Sequence, residues 1–80
     1  MSTVTDVVDV LARALTERPD EVRVTESARR DGTLVELSVA PGELGRVIGR
    51  QGRTAAALRT LAASAGEKEG KTVTLEIREQ

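Results

Sequence analysis

One stretch of this 80-residue chain holds residue types that could do chemistry at a useful spacing: Gly45-Arg46-Val47-Ile48-Gly49-Arg50-Gln51-Gly52-Arg53-Thr54. Gly49 and Gly52 flank two long polar side chains. Glycine lets a backbone approach a ligand with no Cβ in the way. A helix starting at the second glycine would turn free N–H groups and the positive end of its dipole outward. Arg50 and Arg53 add positive charge, and a guanidinium can grip phosphate through two parallel hydrogen bonds. The segment therefore suits a run of phosphates. Its spacing is G-x-x-x-G-x-x-G, which differs from the dinucleotide pattern G-x-G-x-x-G, and no Gly-Lys-Ser/Thr of a P-loop is present.

The charge pattern singles out the same place. Net charge is −1, and all 13 carboxylates lie outside the window between Glu43 and Glu67. That window holds Arg46, Arg50, Arg53 and Arg59. A mildly acidic chain thus carries one wholly basic stretch. There is no His, Cys, Phe, Trp or Tyr. This removes the usual general base, the thiol nucleophile, the thiolate metal site and aromatic stacking. With no carboxylate in the one candidate site, an enzyme is the weakest reading, and neither a metal nor a cofactor is expected. The longest apolar run, residues 55–58, is far too short for a membrane span. The N-terminal residues show no signal-peptide pattern, so a cytoplasmic location is the expectation.

The elements that must position this stretch are readable from periodicity. Val4, Val7, Val8, Leu11, Ala12 and Leu15 form one helical stripe over 4–16. Residues 21–27 and 33–39 alternate about Asp31-Gly32, which predicts a β-hairpin with Val22 and Val24, then Val35, Leu37 and Val39, facing inward. Leu34 falls on the outer face. Pro41 suits the first turn of a short helix over 41–48. A longer helix from Arg53 carries the stripe Ala55, Leu58, Leu61, Ala62 and Ala65, and Gly66 or Gly70 can end it. A last strand spans 71–78. The expectation is one α+β domain, residues 1–80, in the order α-β-β-α-α-β. Its three-stranded mixed sheet would carry three helices on one face. Only residues 1–3 and 79–80 should be loose.

Val-Ile-Gly-Arg-Gln-Gly at 47–52 resembles the V-I-G-x-x-G core of the KH domain, and the element order resembles the bacterial, type II KH arrangement. Nearly the whole chain is similar to the small stand-alone bacterial KH proteins. The resemblance implies a non-catalytic protein that binds single-stranded RNA, as an RNA chaperone or post-transcriptional regulator. KH domains clamp the backbone of four nucleotides with the G-x-x-G loop. Here that loop would be Gly49, Arg50, Gln51 and Gly52, with Arg46 and Arg53 beside it. Val47, Ile48, Thr54, Ala55 and Leu58 would line an apolar groove for bases. The resemblance further implies self-association as a homodimer, or a heterodimer with a KhpB-like (Jag/EloR) KH protein.

Plainer readings stand beside these. The two glycines also suit a bare helix-to-helix turn, although the acid-free window favours the clamp. Gly45 reads as a close-packing position. At least one of Val47 and Ile48 belongs to the core, Leu61 is expected in it, and Leu58 is divided between core and groove. Arg46 and Arg59 fit solvated surface as well as RNA. The alternative function is a protein-interaction module whose RNA contact is incidental.

Overall fold

The computed structural model describes residues 2–80. Helix α1 spans Thr3–Leu15, strand β1 Arg23–Arg29, β2 Gly32–Val39, helix α2 Leu44–Ile48, α3 Arg53–Lys68 and strand β3 Val73–Glu79. Single 3-10 turns occupy Pro19–Glu21 and Arg50–Gly52. The sheet order is β1-β2-β3. β1 and β2 pair antiparallel with Arg29 opposite Gly32, and β2 and β3 pair parallel with Thr33 opposite Val73. A parallel neighbour requires a long crossover, and α2 with α3 supplies it. The expected α+β order and mixed sheet are those observed.

The core is wholly aliphatic. Val4, Val8 and Ala12 of α1 meet Val22, Val35, Leu37 and Val39 of the sheet side, Val47 of α2, Leu58 and Ala62 of α3, and Leu75 of β3. α1 starts where Ser2 Oγ accepts the Thr5 N–H at 3.2 Å, satisfying one of the free amides of its first turn. α3 ends in a left-handed glycine cap. Gly70 has φ +71°, Lys71 N–H donates to Gly66 O and Gly70 N–H to Glu67 O, which is the Schellman pattern.

Five expectations need correction. Pro41 does not open α2: Gly42 follows with φ +87°, a left-handed value no helix start accepts, so the helix begins at Leu44 after a turn closed by Glu43 N–H to Ala40 O. Gly66 does not end α3; it is buried within it, where a Cβ would lie 2.5 Å from Val73 Cγ2, so it lets the helix press on β3. Leu34 is buried although it lies on the sheet face away from the helices, because it sits on the central strand with Ser27 of β1 and Thr74 of β3 on either side. Leu61 is 47% exposed, on the flank of a buried row made by Ala55, Leu58, Ala62 and Gly66. The ends are fastened: Ser2 caps α1, and Gln80 N–H donates to Val39 O at 2.9 Å. Met1 lies outside the described residues.

Candidate nucleic-acid interface

The 49–52 loop is shaped by three left-handed residues. Gly49 has φ +76°, Gln51 +57° and Gly52 +73°. Its backbone bonds close it on itself: Gly49 N–H donates to Gly45 O at 2.8 Å, Gly52 N–H to Gly49 O at 3.2 Å, and Arg53 N–H to Arg50 O. The two flanking glycines are needed for different reasons. A Cβ on Gly49 would lie 2.2 Å from Thr54 Oγ1 and 2.7 Å from Thr54 Cβ, so this glycine seats the first turn of α3. A Cβ on Gly52 would meet nothing within 4 Å. Gly52 is therefore required by its dihedral angle alone, and the space over it is free for a ligand. Gln51 is the only non-glycine residue with positive φ among the described residues, a conformation that costs an ordinary side chain about 1–2 kcal/mol.

Charge at the loop is uncompensated. Arg50, Gln51 and Arg53 are exposed, and Arg53 Nη2 donates to Gln51 Oε1 at 2.9 Å. Among the described residues, Arg50, Arg53 and Arg59 have no carboxylate within ion-pair distance, whereas Arg13, Arg18 and Arg78 each have one and Lys71 has two. Outside the acid-free window, Arg23, Arg29, Arg30 and Lys68 also lack an ion pair among the described residues; what sets the loop apart is that unpaired arginines stand in a stretch with no acid in the sequence around them. Loop and α3 N-terminus together can hold an anion through backbone amides and guanidinium groups.

The other candidate residues divide. Ile48 and Thr54 are half-buried beside the loop. Val47 is fully buried, and Ala55 and Leu58 are each 3% exposed, so these three support the site from the core and offer a ligand little surface. Gly45 does not pack closely: no atom lies within 4 Å of where its Cβ would be. Among the described residues there is no cluster of His, Cys, Asp and Glu that could hold a metal, and no helix is long and apolar enough to cross a membrane.

Arg46 is engaged elsewhere. Its Nη2 lies 2.7 Å from Glu17 Oε1 and its Nε 3.5 Å from Glu43 Oε2. Glu43 is itself held, accepting the Thr16 hydroxyl and, at 2.6 Å, the Glu17 N–H. The Thr16 hydroxyl, then the Glu17 amide, then the guanidinium groups of Arg46 and Arg18 outweigh burial and keep the Glu43 carboxyl below its ordinary 4.5. This link between the end of α1 and the start of α2 was not foreseen. Its one sequence signal was Glu43 as the last acid before the basic window. Half-buried Ile77 on β3 packs against the core, on the inward face that strand alternation predicts for it.

The fold and the loop define the class: a type II KH arrangement with G-x-x-G between two helices. A solved structure of a point variant of Aquifex aeolicus Era bound to GDP and AlF4⁻ shares the fold with a TM-score of 0.63 at 16% identity, over 96% of this chain and 30% of that one. The chain belongs to the family described as KhpA/KhpB, KH domain, which matches residues 5–77. It is 49% identical to the RNA-binding protein KhpA of Aquifex aeolicus over 99% of this chain and 100% of that one. It is also 40% identical to the RNA-binding protein KhpA of Clostridium perfringens, over 90% of this chain and 96% of that one. The protein of the same name from Mycobacterium tuberculosis is 52% identical over 79% of each chain.

Proposed function

We propose that this protein binds single-stranded RNA without catalysis, clamping the sugar-phosphate backbone of about four nucleotides on the 49–52 loop. The observation that carries this reading is the loop itself: open space over Gly52, with Arg50 and Arg53 unpaired beside it. The relatives named RNA-binding protein KhpA support it. Ile48 and Thr54 form the accessible apolar margin against which unstacked bases lie. The role is that of an RNA chaperone or post-transcriptional regulator in the cytoplasm. Titration with a short single strand at several salt concentrations tests it. Two to four neutralised phosphates give a log–log slope of roughly −0.7 per phosphate. A flat slope, or equal affinity for duplex DNA of the same length, overturns the clamp.

A second observation favours a pairing role in addition. Val7, Val10, Leu11 and Leu61 line an apolar groove between α1 and α3, with Val10 65% exposed and Leu61 47% exposed. A second copy or a KhpB-like KH protein covers this groove in the proposed assembly. One four-nucleotide clamp is weak, and linking two raises the effective concentration of the second. Sedimentation across a wide concentration range shows a dimer that Val10→Asp disperses; a monomer throughout contradicts self-association.

A further inference from the structure

Arg46 is the exception in the basic window: it has carboxylate partners where Arg50, Arg53 and Arg59 have none. Its two partners are unequal. Glu43 is 9% exposed and is fixed by the Thr16 hydroxyl and the Glu17 amide. The Glu17 carboxylate has no such anchor: its side chain is 68% exposed, and among the described residues its one ion pair is with Arg46 at 2.7 Å. Exposed ion pairs of this kind are weak, whereas a guanidinium on a phosphate makes strong, paired hydrogen bonds. Arg46 stands three residues before Gly49, in the helix that leads into the loop. Its side chain is 48% exposed and can leave Glu17 without disturbing the core.

We infer that Arg46 exchanges Glu17 for a phosphate of the bound RNA, so that Glu17 acts as a built-in competitor and sets the affinity of the loop. This rests on the RNA-binding reading above. In the free protein Glu17 occupies the guanidinium face that a phosphate needs, and binding must displace it. Removing that competitor strengthens binding only if Arg46 is present to use the freedom.

The test is a double-mutant cycle. RNA affinity of the full chain is measured for wild type, Glu17→Gln, Arg46→Gln and the double variant, at low and at moderate salt, with a melting curve for each. Asp20→Asn, at another exposed carboxylate, controls for the general loss of negative charge. Glu17→Gln should bind about threefold to tenfold tighter at low salt, with the gain shrinking as salt rises. Asp20→Asn should change affinity less than twofold. In the Arg46→Gln background, Glu17→Gln should give no gain. A gain that persists without Arg46 reduces Glu17 to a distant repulsive charge and overturns the exchange; so does the absence of any gain. Wild type that binds no RNA removes the RNA reading and this inference with it. Wild type that binds while the cycle shows no coupling removes this inference alone.

Discussion

The chain has two glycine-bearing tips that carry unpaired arginines, and only one has the makings of a site. At the hairpin tip, Arg29 and Arg30 are exposed and Gly32, at φ +150°, would place a Cβ 2.3 Å from Thr72 O. At the 49–52 loop, Arg50 and Arg53 are exposed and Gly49 would place a Cβ 2.2 Å from Thr54 Oγ1. Both glycines are hemmed in, Gly32 by a backbone carbonyl and Gly49 by the Thr54 side chain. The wider surroundings differ. Arg29 shares its hollow with the carboxylates of Asp31 and Glu76. The loop adjoins no carboxylate, opens the 16-residue helix α3 and borders half-buried Ile48. Exposed arginine on a tight turn is common; what distinguishes the loop is a helix N-terminus, an apolar margin and the exclusion of acids over a long stretch of sequence.

Charge reversal separates the tips most sharply. Arg50→Asp with Gln51→Asp removes one positive charge and sets two negative ones against phosphates, each repelling by roughly 1–3 kcal/mol at about 5 Å. RNA affinity should fall on the order of a hundredfold or more, with melting changed by about 0.5 kcal/mol or less. Arg29→Asp with Arg30→Asp should leave affinity nearly unchanged. RNA titration at fixed salt measures both, and equal losses at the two tips would erase the distinction.

Glycine replacement probes what the tips share. Gly49→Ala and Gly32→Ala should each destabilise by about 2–4 kcal/mol in denaturant melts, through a clash added to an unfavourable φ. Gly52→Ala, which meets no neighbour, should cost only the dihedral penalty of about 1–2 kcal/mol. Equal costs at Gly49 and Gly52 would show that Thr54 yields. Gln51→Gly works in the opposite direction. Relief of the left-handed conformation outweighs the added freedom of the unfolded chain, for a gain of roughly 0.5–1 kcal/mol. A loss on melting would mean that the bond from Arg53 to Gln51 matters more than the strain.

The smallest effect is acid sensitivity, and it comes from two carboxylates outside both tips. Glu26 of β1 is held below its ordinary 4.5 first by the Ser2 hydroxyl and then by Lys71, whose Nζ is 3.1 Å away. Glu43, ahead of the loop, is lowered by Thr16 and the Glu17 amide. Both favour the folded state above pH 4.5. That contribution disappears as pH falls through their lower folded values, because the unfolded chain takes up the proton first. Glu26→Gln and Glu43→Gln should each flatten the decline of melting temperature below pH 4.5. An unaltered decline in both would place the acid sensitivity elsewhere.

Periodicity and turn chemistry made the order of elements legible, and the glycine spacing with the acid-free window marked the loop. The misplacements share a cause. Leu58 and Leu61 both fit an apolar stripe, but a helix crossing a small sheet buries a narrow row, and the row of Ala55, Leu58 and Ala62 leaves Leu61 at its edge. Leu34 alternates outward as expected and is still buried, because it sits on the central strand with a neighbour on either side. Gly45 and Gly66 look alike as letters; only the packing shows one facing open space and the other pressed on Val73. Arg46 fits solvated surface or RNA contact equally in the sequence, because its partners Glu17 and Glu43 come from across the fold and from just outside the window.

The closure of the 49–52 loop has a thermodynamic consequence. Its backbone is tied to Gly45 on one side and to the first residue of α3 on the other, with Thr54 seated against Gly49. The entropy of fixing those dihedral angles is therefore lost when the chain folds, before any ligand arrives. A molecule that docks on this loop meets a preorganised surface and spends its interaction energy on its own ordering and on displaced water. Differences among ligands at this loop then reflect how well each one's shape fits a fixed template, and should appear in how long it stays rather than in how fast it arrives.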